Sequence, residues 1–226
     1  MSKGHSEAVS ERVADVLAGR ILSGALPPGM RIKQDELAAE LNISRIPVRD
    51  ALRILEARGL VSMRANTGAR VISLDEADLA AAFDICERLE PLLLASSLAR
   101  FTQEDVFALK ALLDAPCEDI GAEAMVQRAR AFHWLAYSRH SSALLAGMVE
   151  RIWDALQSYV LAAWARMSEA DALGAREEHV NEHRVLYEAI ARGELETAQA
   201  VLILHIRRIR MFVLGSARRV EQIGEA

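Results

Sequence analysis

The sequence predicts a mainly α protein in two parts. Three helices and a β-hairpin span residues 1–74, and an all-α bundle of six to seven helices spans residues 75–226. Three observations predict it. Apolar residues recur at helical spacing through most of the chain. A strand-like pattern occurs once, on either side of Ala65-Asn66-Thr67-Gly68-Ala69. Charge is unevenly spread: residues 1–74 hold eleven Lys and Arg against eight Asp and Glu, a net +3, while residues 75–226 hold 16 against 24, a net −8. A small cationic module joined to an acidic domain suits a protein whose first part meets an anion.

The first helix is expected from about Ser10 to Leu22, where Val9, Val13, Val16, Leu17 and Ile21 share a face. Ser23-Gly24 stops it, and Leu26-Pro27-Pro28-Gly29 is a rigid loop. Arg31-Ile32 leads into a second helix, about Gln34 to Leu41. Asn42-Ile43 leaves room only for a tight turn, and the third helix runs from Ser44 to about Arg58, with Gly59 as its C-terminal cap. Leu60–Arg64 and Arg70–Leu74 are the two hairpin strands. Together these make a winged helix-turn-helix.

After Asp75 the period stays helical. Pro91 is placed to bend a helix over Asp75–Arg100, and Thr102-Gln103-Glu104-Asp105 reads as a capped start. Further helices are expected at about 103–114, 120–139, 142–167, 175–191 and 194–214, with Gly147, Gly174 and Gly193 as possible breaks and a frayed last dozen residues. No apolar run approaches the roughly eighteen residues of a membrane span. The first residues are polar, so a cytoplasmic protein is expected. Cys86 and Cys117 are too few and too far apart for a disulfide framework or a Cys-based zinc site.

The third helix carries the clearest chemistry. At 100° per residue Val48, Ala51, Leu52 and Leu55 share one arc, and Arg45, Arg49 and Arg53 share the arc beside it. Ser44 is suited to accept a first-turn amide as N-cap, and Pro47 falls in the first turn, where its missing N–H costs little. Such a helix can dock on its own domain and present cations to DNA. Arg45 and Arg49 are the expected base or phosphate contacts, since a guanidinium can be bidentate to guanine. Ser44 and the helix N-terminus can hold a phosphate, Arg31 can reach the backbone, and Arg64, Asn66, Thr67, Gly68 and Arg70 form the wing. Arg53 and Arg58 can equally pair with Asp50 or Glu56.

The run Ser44-Arg45-Ile46-Pro47-Val48-Arg49-Asp50-Ala51-Leu52, with Leu55, Gly59-Leu60-Val61 and Gly68-Ala69-Arg70-Val71, resembles the winged helix of GntR-type bacterial transcription regulators. Upstream, Ile21-Leu22-Ser23-Gly24 and Pro28-Gly29-Met30-Arg31-Ile32 fit the same pattern. The resemblance implies a homodimer on a short palindromic DNA operator. In the acidic half, Leu89-Glu90, Phe132-His133, Glu182-His183 with Ala189-Ile190, and Gly193-Glu194 with Ala198 and His205-Ile206 resemble the FCD effector domain of the FadR subfamily. That resemblance implies a helical bundle whose central pocket takes a small-molecule, often carboxylate, effector on a divalent metal held by one Asp and three His.

His133, His183 and His205 fill the three histidine positions of that pattern. The Asp position is Ala129, an Arg position is Cys86 and an Asn position is Ser142, so the pocket is less polar than the family pattern. Three neutral imidazoles can hold Zn²⁺ or Ni²⁺ with open positions, although the missing Asp removes an anionic ligand. His179, one turn before His183, and a Cys86 thiolate are alternative ligands, and Arg88, Arg128 and Arg130 are alternative clamps for an anion. Trp134, Trp153 and Trp164 read as core or interface.

The expected function is a DNA-binding transcription regulator, a repressor, controlled by an effector, and not an enzyme. Two other readings stay open: a metal-dependent hydrolase built on His133, His183 and His205, and a DNA-binding protein whose helical half is purely structural. The first lacks a general base aligned with the histidines, because Glu182 points roughly 100° from His183 on a helix.

Overall fold

The computed structural model describes residues 3–64, 68–115 and 121–224. Its elements run α1 (Lys3–Leu22), β1 (Arg31–Ile32), α2 (Gln34–Glu40), α3 (Arg45–Ala57), β2 (Val61–Arg64), β3 (Gly68–Val71), α4 (Glu76–Leu98), α5 (Gln103–Asp114), α6 (Ala122–Tyr137), α7 (Ala143–Ala165), α8 (Glu169–Ala191) and α9 (Leu195–Gly224). They gather into two compact units, Met1–Asp75 with Trp153–Ser158, and Glu76–Ile152 with Tyr159–Ala226.

In the first unit α3 buries the arc read from its spacing. Val48, Ala51, Leu52 and Leu55 are wholly inaccessible and meet Val13, Leu17 and Ile21 of α1 and Leu37 of α2 in one apolar core. α3 ends in a Schellman turn: Gly59, at φ 78°, donates to the Glu56 carbonyl, and Leu60 donates to that of Leu55. Asn42, at φ 52°, closes α2 in the same way, with Ile43 donating to the Ala38 carbonyl. The left-handed Asn42 makes the α2–α3 connection short, and Gly59 does the same between α3 and β2.

Three details depart from the expectation. Arg31–Ile32 is a strand and not a lead-in: it pairs antiparallel with β3, giving a three-stranded sheet in the order β1-β3-β2. β3 begins at Gly68 and ends at Val71, earlier than expected, because it must pair both β2 and β1. Ser44 occupies the N-cap position of α3, but its side chain makes no capping bond, so the first-turn amides lack that acceptor.

In the second unit the described helices are six, α4 to α9. Pro91 lies inside α4 without ending it. α8 begins at Glu169, and Gly147 and Gly174 sit within helices. Only Gly193, at φ 71°, breaks the chain where a break was expected. α9 continues to Gly224, past the expected end, because the helical hydrogen-bond pattern persists beyond the apolar period. Thr102 and Asp105 form a full capping box at the start of α5, and Asp105 also binds the Arg139 guanidinium through both carboxylate oxygens. Those bonds hold the Asp105 carboxyl at about 2, with the Arg139 contact contributing most. Leu93, Leu94, Leu109, Phe132, Tyr137, Leu186 and Leu202 are among the most buried residues of this unit, as is Glu90, which is 1% exposed.

Candidate functional site

On α3 the side chains opposite the core are exposed: Ser44, Arg45, Ile46, Arg49 and Arg53. Arg45 ion-pairs with Asp35 of α2 at 2.6 Å, and Arg53 lies 3.8 Å from Asp50. Arg58 reaches Asp15 of α1 at 2.9 Å and not Glu56, which accepts from the Met63 amide instead. Among the described residues Arg49 has no ion-pair partner, so its charge is uncommitted. The pairs made by Arg45 and Arg53 are solvent-exposed and worth little, so both side chains can be redirected. Ile46, 61% exposed between two arginines, is a residue the spacing argument passed over because apolar residues read as core.

Arg31 and Arg70 face each other across β1 and β3. Arg70 also donates to the Gly29 carbonyl, which ties the loop before β1 to the sheet. Gly68, at φ 84°, starts β3 in a conformation other residues rarely adopt. The β2–β3 connection holds Asn66 and Thr67, which lie outside the described residues, as does the side chain of Arg64.

The second unit gathers four buried imidazoles. His133 on α6, His179 and His183 on α8, and His205 on α9 are 2%, 5%, 4% and 6% exposed. One ring nitrogen from each of His133, His183 and His205 lies within 4.8 Å of the others. The outer hydrogen bonds set the tautomers. His183 Nδ1 lies 2.8 Å from the His179 carbonyl, so it carries the proton and donates. His205 Nδ1 donates to Glu182 Oε2 at 2.8 Å. Tyr137 donates its hydroxyl to Glu90 Oε2 at 2.7 Å, and its oxygen, 3.3 Å from His133 Nδ1, is left to accept from that ring. In His133 and His183 this leaves the lone pair on Nε2.

His133 Nε2 and His183 Nε2 stand 3.0 Å apart. Two lone pairs at that distance repel unless a cation or a shared proton lies between them. A proton is disfavoured, since burial pushes His133 well below the ordinary range and His183 down to about 3. Neutral imidazoles with fixed outer partners suit a borderline divalent ion. The donor set therefore fits Zn²⁺ or Ni²⁺, with His133, His183 and His205 as ligands.

The charge expected to be missing with Ala129 is partly restored one step further out. Glu182 does not face away: it holds His205 and also accepts from Arg208 Nε at 2.8 Å. Glu90 reaches His133 through Tyr137. Spacing on α8 alone placed Glu182 about 100° from His183, and it hid that α9 lies where Glu182 points.

The remaining expected pocket positions divide. Ala129 lines a small cavity with Leu112, Leu113, Met125, Arg128, Phe132, His179, Val180 and His183. Cys86 is 2% exposed, and burial beside Glu90 raises its thiol far from ionisation, so it is a small core residue and not a thiolate ligand. Ser142 caps α7, accepting from the Leu145 amide at 3.2 Å. Arg128 donates to the Leu113 carbonyl at 2.7 Å, and Arg88 to that of Asp84.

Comparison with known proteins follows the same division. Residues 9–71 match the gntR family of bacterial regulatory proteins, and residues 81–208 match the FCD domain. The chain is 29% identical to a probable D-xylose utilization operon transcriptional repressor of Paenarthrobacter nicotinovorans, over 88% of this chain and 85% of that one. It is 26% identical to the HTH-type transcriptional repressor GlaR of Escherichia coli strain K12, over 84% and 89%. Among solved structures, E. coli McbR/YncC superposes with a TM-score of 0.74 at 22% identity, covering 88% of this chain and 94% of its own, and so shares the fold.

Proposed function

The chain belongs to the gntR family of bacterial regulatory proteins and carries an FCD domain, and from that premise we propose an operator-binding repressor, released or tightened by a small-molecule effector in the helical unit. The observation that carries the DNA-binding half is α3: one face is locked in the core, while the other presents Arg45, Ile46 and Arg49. Arg49 and Arg45 contact guanine edges or phosphates, and Ile46 suits a thymine methyl. Ser44 and the α3 amides without a side-chain cap hold a phosphate, Arg31, Arg53 and Arg70 add backbone contacts, and Arg64, Asn66, Thr67 and Gly68 supply the wing.

His133, His183 and His205 would hold a divalent ion through three imidazoles without the Asp of the FadR pattern, and such an ion would supply a Lewis acid. The protein's own groups orient it: the His179 carbonyl, Glu182, and Tyr137 with Glu90 fix the three rings. Both carboxylate oxygens of Glu182 are engaged, which favours a ligand site over a hydrolase.

A homodimer on a palindromic site follows the same reading. α4 and α9 pack together, and the large apolar residues they expose include a pair one heptad apart on each, Ile85 and Leu92 on α4, and Leu204 and Met211 on α9. These suit a second copy of the chain.

The test begins with a random duplex library. Sequences retained by the protein are selected and then titrated with and without Zn²⁺ and candidate carboxylates. A palindromic consensus whose affinity changes with ligand is the expected result. A library that yields no consensus refutes operator binding, and a consensus indifferent to every ligand refutes effector control.

A further inference from the structure

His205 belongs to two groups of donors. His179, Glu182 and His205 each place a ligating atom within 4.8 Å of the other two, as His133, His183 and His205 do among themselves. Two helices build the second group. His179 and Glu182 lie three residues apart on α8 and so share a face, and α9 brings His205 against it.

His179 is the residue that calls for a cation there. It is 5% exposed, and neither ring nitrogen has a hydrogen-bond partner among the described residues. An imidazole sealed from water with both nitrogens unpaired is costly. Its neighbours are rings: His183 at 4.4 Å between centroids, His205 at 5.1 Å and Trp164 at 5.7 Å. None of them gives its lone pair a hydrogen bond.

Glu182 supplies what the three-imidazole group lacks. That group has no anionic ligand, because Ala129 stands at the Asp position. Arg208 Nε holds Glu182 Oε1 at 2.8 Å and fixes the carboxyl, while Oε2 meets His205 Nδ1 at 2.8 Å. Arg208 is 34% exposed in its side chain, so water screens part of its charge. An ion bound by Oε2 and Nδ1 takes the place of the proton on Nδ1. That proton moves to Nε2 of the same ring, which stays neutral. His205 then has no lone pair left for an ion shared with His133 and His183. The two groups are alternatives around one imidazole. Their chemistry also differs: three imidazoles suit Zn²⁺ or Ni²⁺, while two imidazoles with a carboxylate suit a harder dication such as Mn²⁺ or Fe²⁺.

We propose that His179, Glu182 and His205 form a second divalent-cation site, one that takes a harder ion such as Mn²⁺ and excludes Zn²⁺ from His133, His183 and His205 while it is filled. This goes beyond the repressor reading and needs no organic effector.

The test uses the full chain dialysed against a chelator. Mn²⁺ is titrated in and followed by the loss of the free-ion electron paramagnetic resonance signal. Zn²⁺ is titrated separately against a chromophoric chelator. Wild type is compared with His179→Phe, which keeps a ring beside Trp164, and with His179→Leu. Without metal, both variants should melt at or above wild type, since an unpaired buried polar group is gone. Each should weaken Mn²⁺ by about tenfold or more, the step of a lost ligand, and leave Zn²⁺ within about threefold. In wild type, Zn²⁺ should displace bound Mn²⁺, a readout that holds even if neither variant folds. Equal Mn²⁺ affinity in wild type and variants overturns the proposal. Parallel loss of Zn²⁺ overturns it too, because His179 then serves the first group. Simultaneous binding of both ions overturns the exclusion. A wild type that binds Zn²⁺ but not Mn²⁺ refutes the second site and leaves the three-histidine site standing. Binding of Mn²⁺ without Zn²⁺ refutes the three-histidine site and, with it, the exclusion.

Discussion

Replacing Tyr137 by Phe removes one oxygen and nothing else, yet that oxygen joins two functions. It donates to Glu90 at 2.7 Å and stands 3.3 Å from His133 Nδ1, and all three residues are 2% exposed or less. The bond to Glu90 is charge-assisted and sealed from water, so its loss should cost about 1.5–3 kcal/mol of stability. That is a fraction of the roughly 5–15 kcal/mol of a typical domain, so the variant should still fold. The His133 ring loses the acceptor that fixes its tautomer and sets Nε2 toward His183. Removing such an outer partner typically lowers metal affinity by about 10–100-fold. Urea unfolding measures the first quantity, and competition with a chromophoric Zn²⁺ chelator measures the second. A Tyr137→Phe protein that is destabilised but binds Zn²⁺ as tightly as wild type would refute the chain of reasoning from Glu90 to His133.

Other expectations follow from particular contacts. Arg49→Ala should leave the melting temperature unchanged, because the side chain is exposed without an ion-pair partner among the described residues, and should weaken the selected operator by about 1–3 kcal/mol in a labelled-DNA titration. Equal operator affinity would remove Arg49 from the interface. Gly59→Ala should cost about 1–2 kcal/mol in urea, since φ 78° is left-handed and a Cβ there meets nothing within 4 Å, so strain alone decides the outcome. Asp105 is held at about 2 against an ordinary value of 3.8, chiefly by Arg139 and then by Thr102. A lowered carboxyl stabilises the fold above its unfolded value and loses that contribution as pH falls toward its folded value. The gap in urea midpoint between wild type and Asp105→Asn should therefore be full at pH 6 and shrink below about pH 4. A gap that is constant with pH would mean that the Asp105 charge is not what stabilises α5. Leu92→Glu or Leu204→Glu should shift sedimentation toward the monomer, and an unchanged dimer would place the interface elsewhere.

Much of the fold was legible because its signals are local. The buried arc of α3, Gly59 as its cap and the capping box at Thr102 each follow from residues within a turn or two of one another. The strand at Arg31–Ile32 was not legible: two residues carry no period, and only their pairing with β3 makes them a strand. Gly174 looked like a break, although a helix tolerates an isolated glycine when its neighbours propagate the bonding. The histidines were visible as residue types at family spacing. Glu90 and Tyr137 as the support of His133, and Glu182 as the support of His205, were not, because each pair joins different helices or depends on which ring nitrogen is occupied.

By itself the sequence determined the two-part division of period and charge, the cationic arc of α3 and the three histidines that α6, α8 and α9 carry. Periodicity, caps and charge act over a few residues, so they can be read along the chain. The tertiary structure decided which side chains are already committed: Arg45 to Asp35, Arg70 to the Gly29 carbonyl, Ser142 to the α7 cap and Glu182 to His205. It also decided that His179, one imidazole among four, is buried with both nitrogens unpaired. A hydrogen bond depends on distance and direction between atoms that the chain brings together from far apart, and no spacing along one helix records where the partner helix lies.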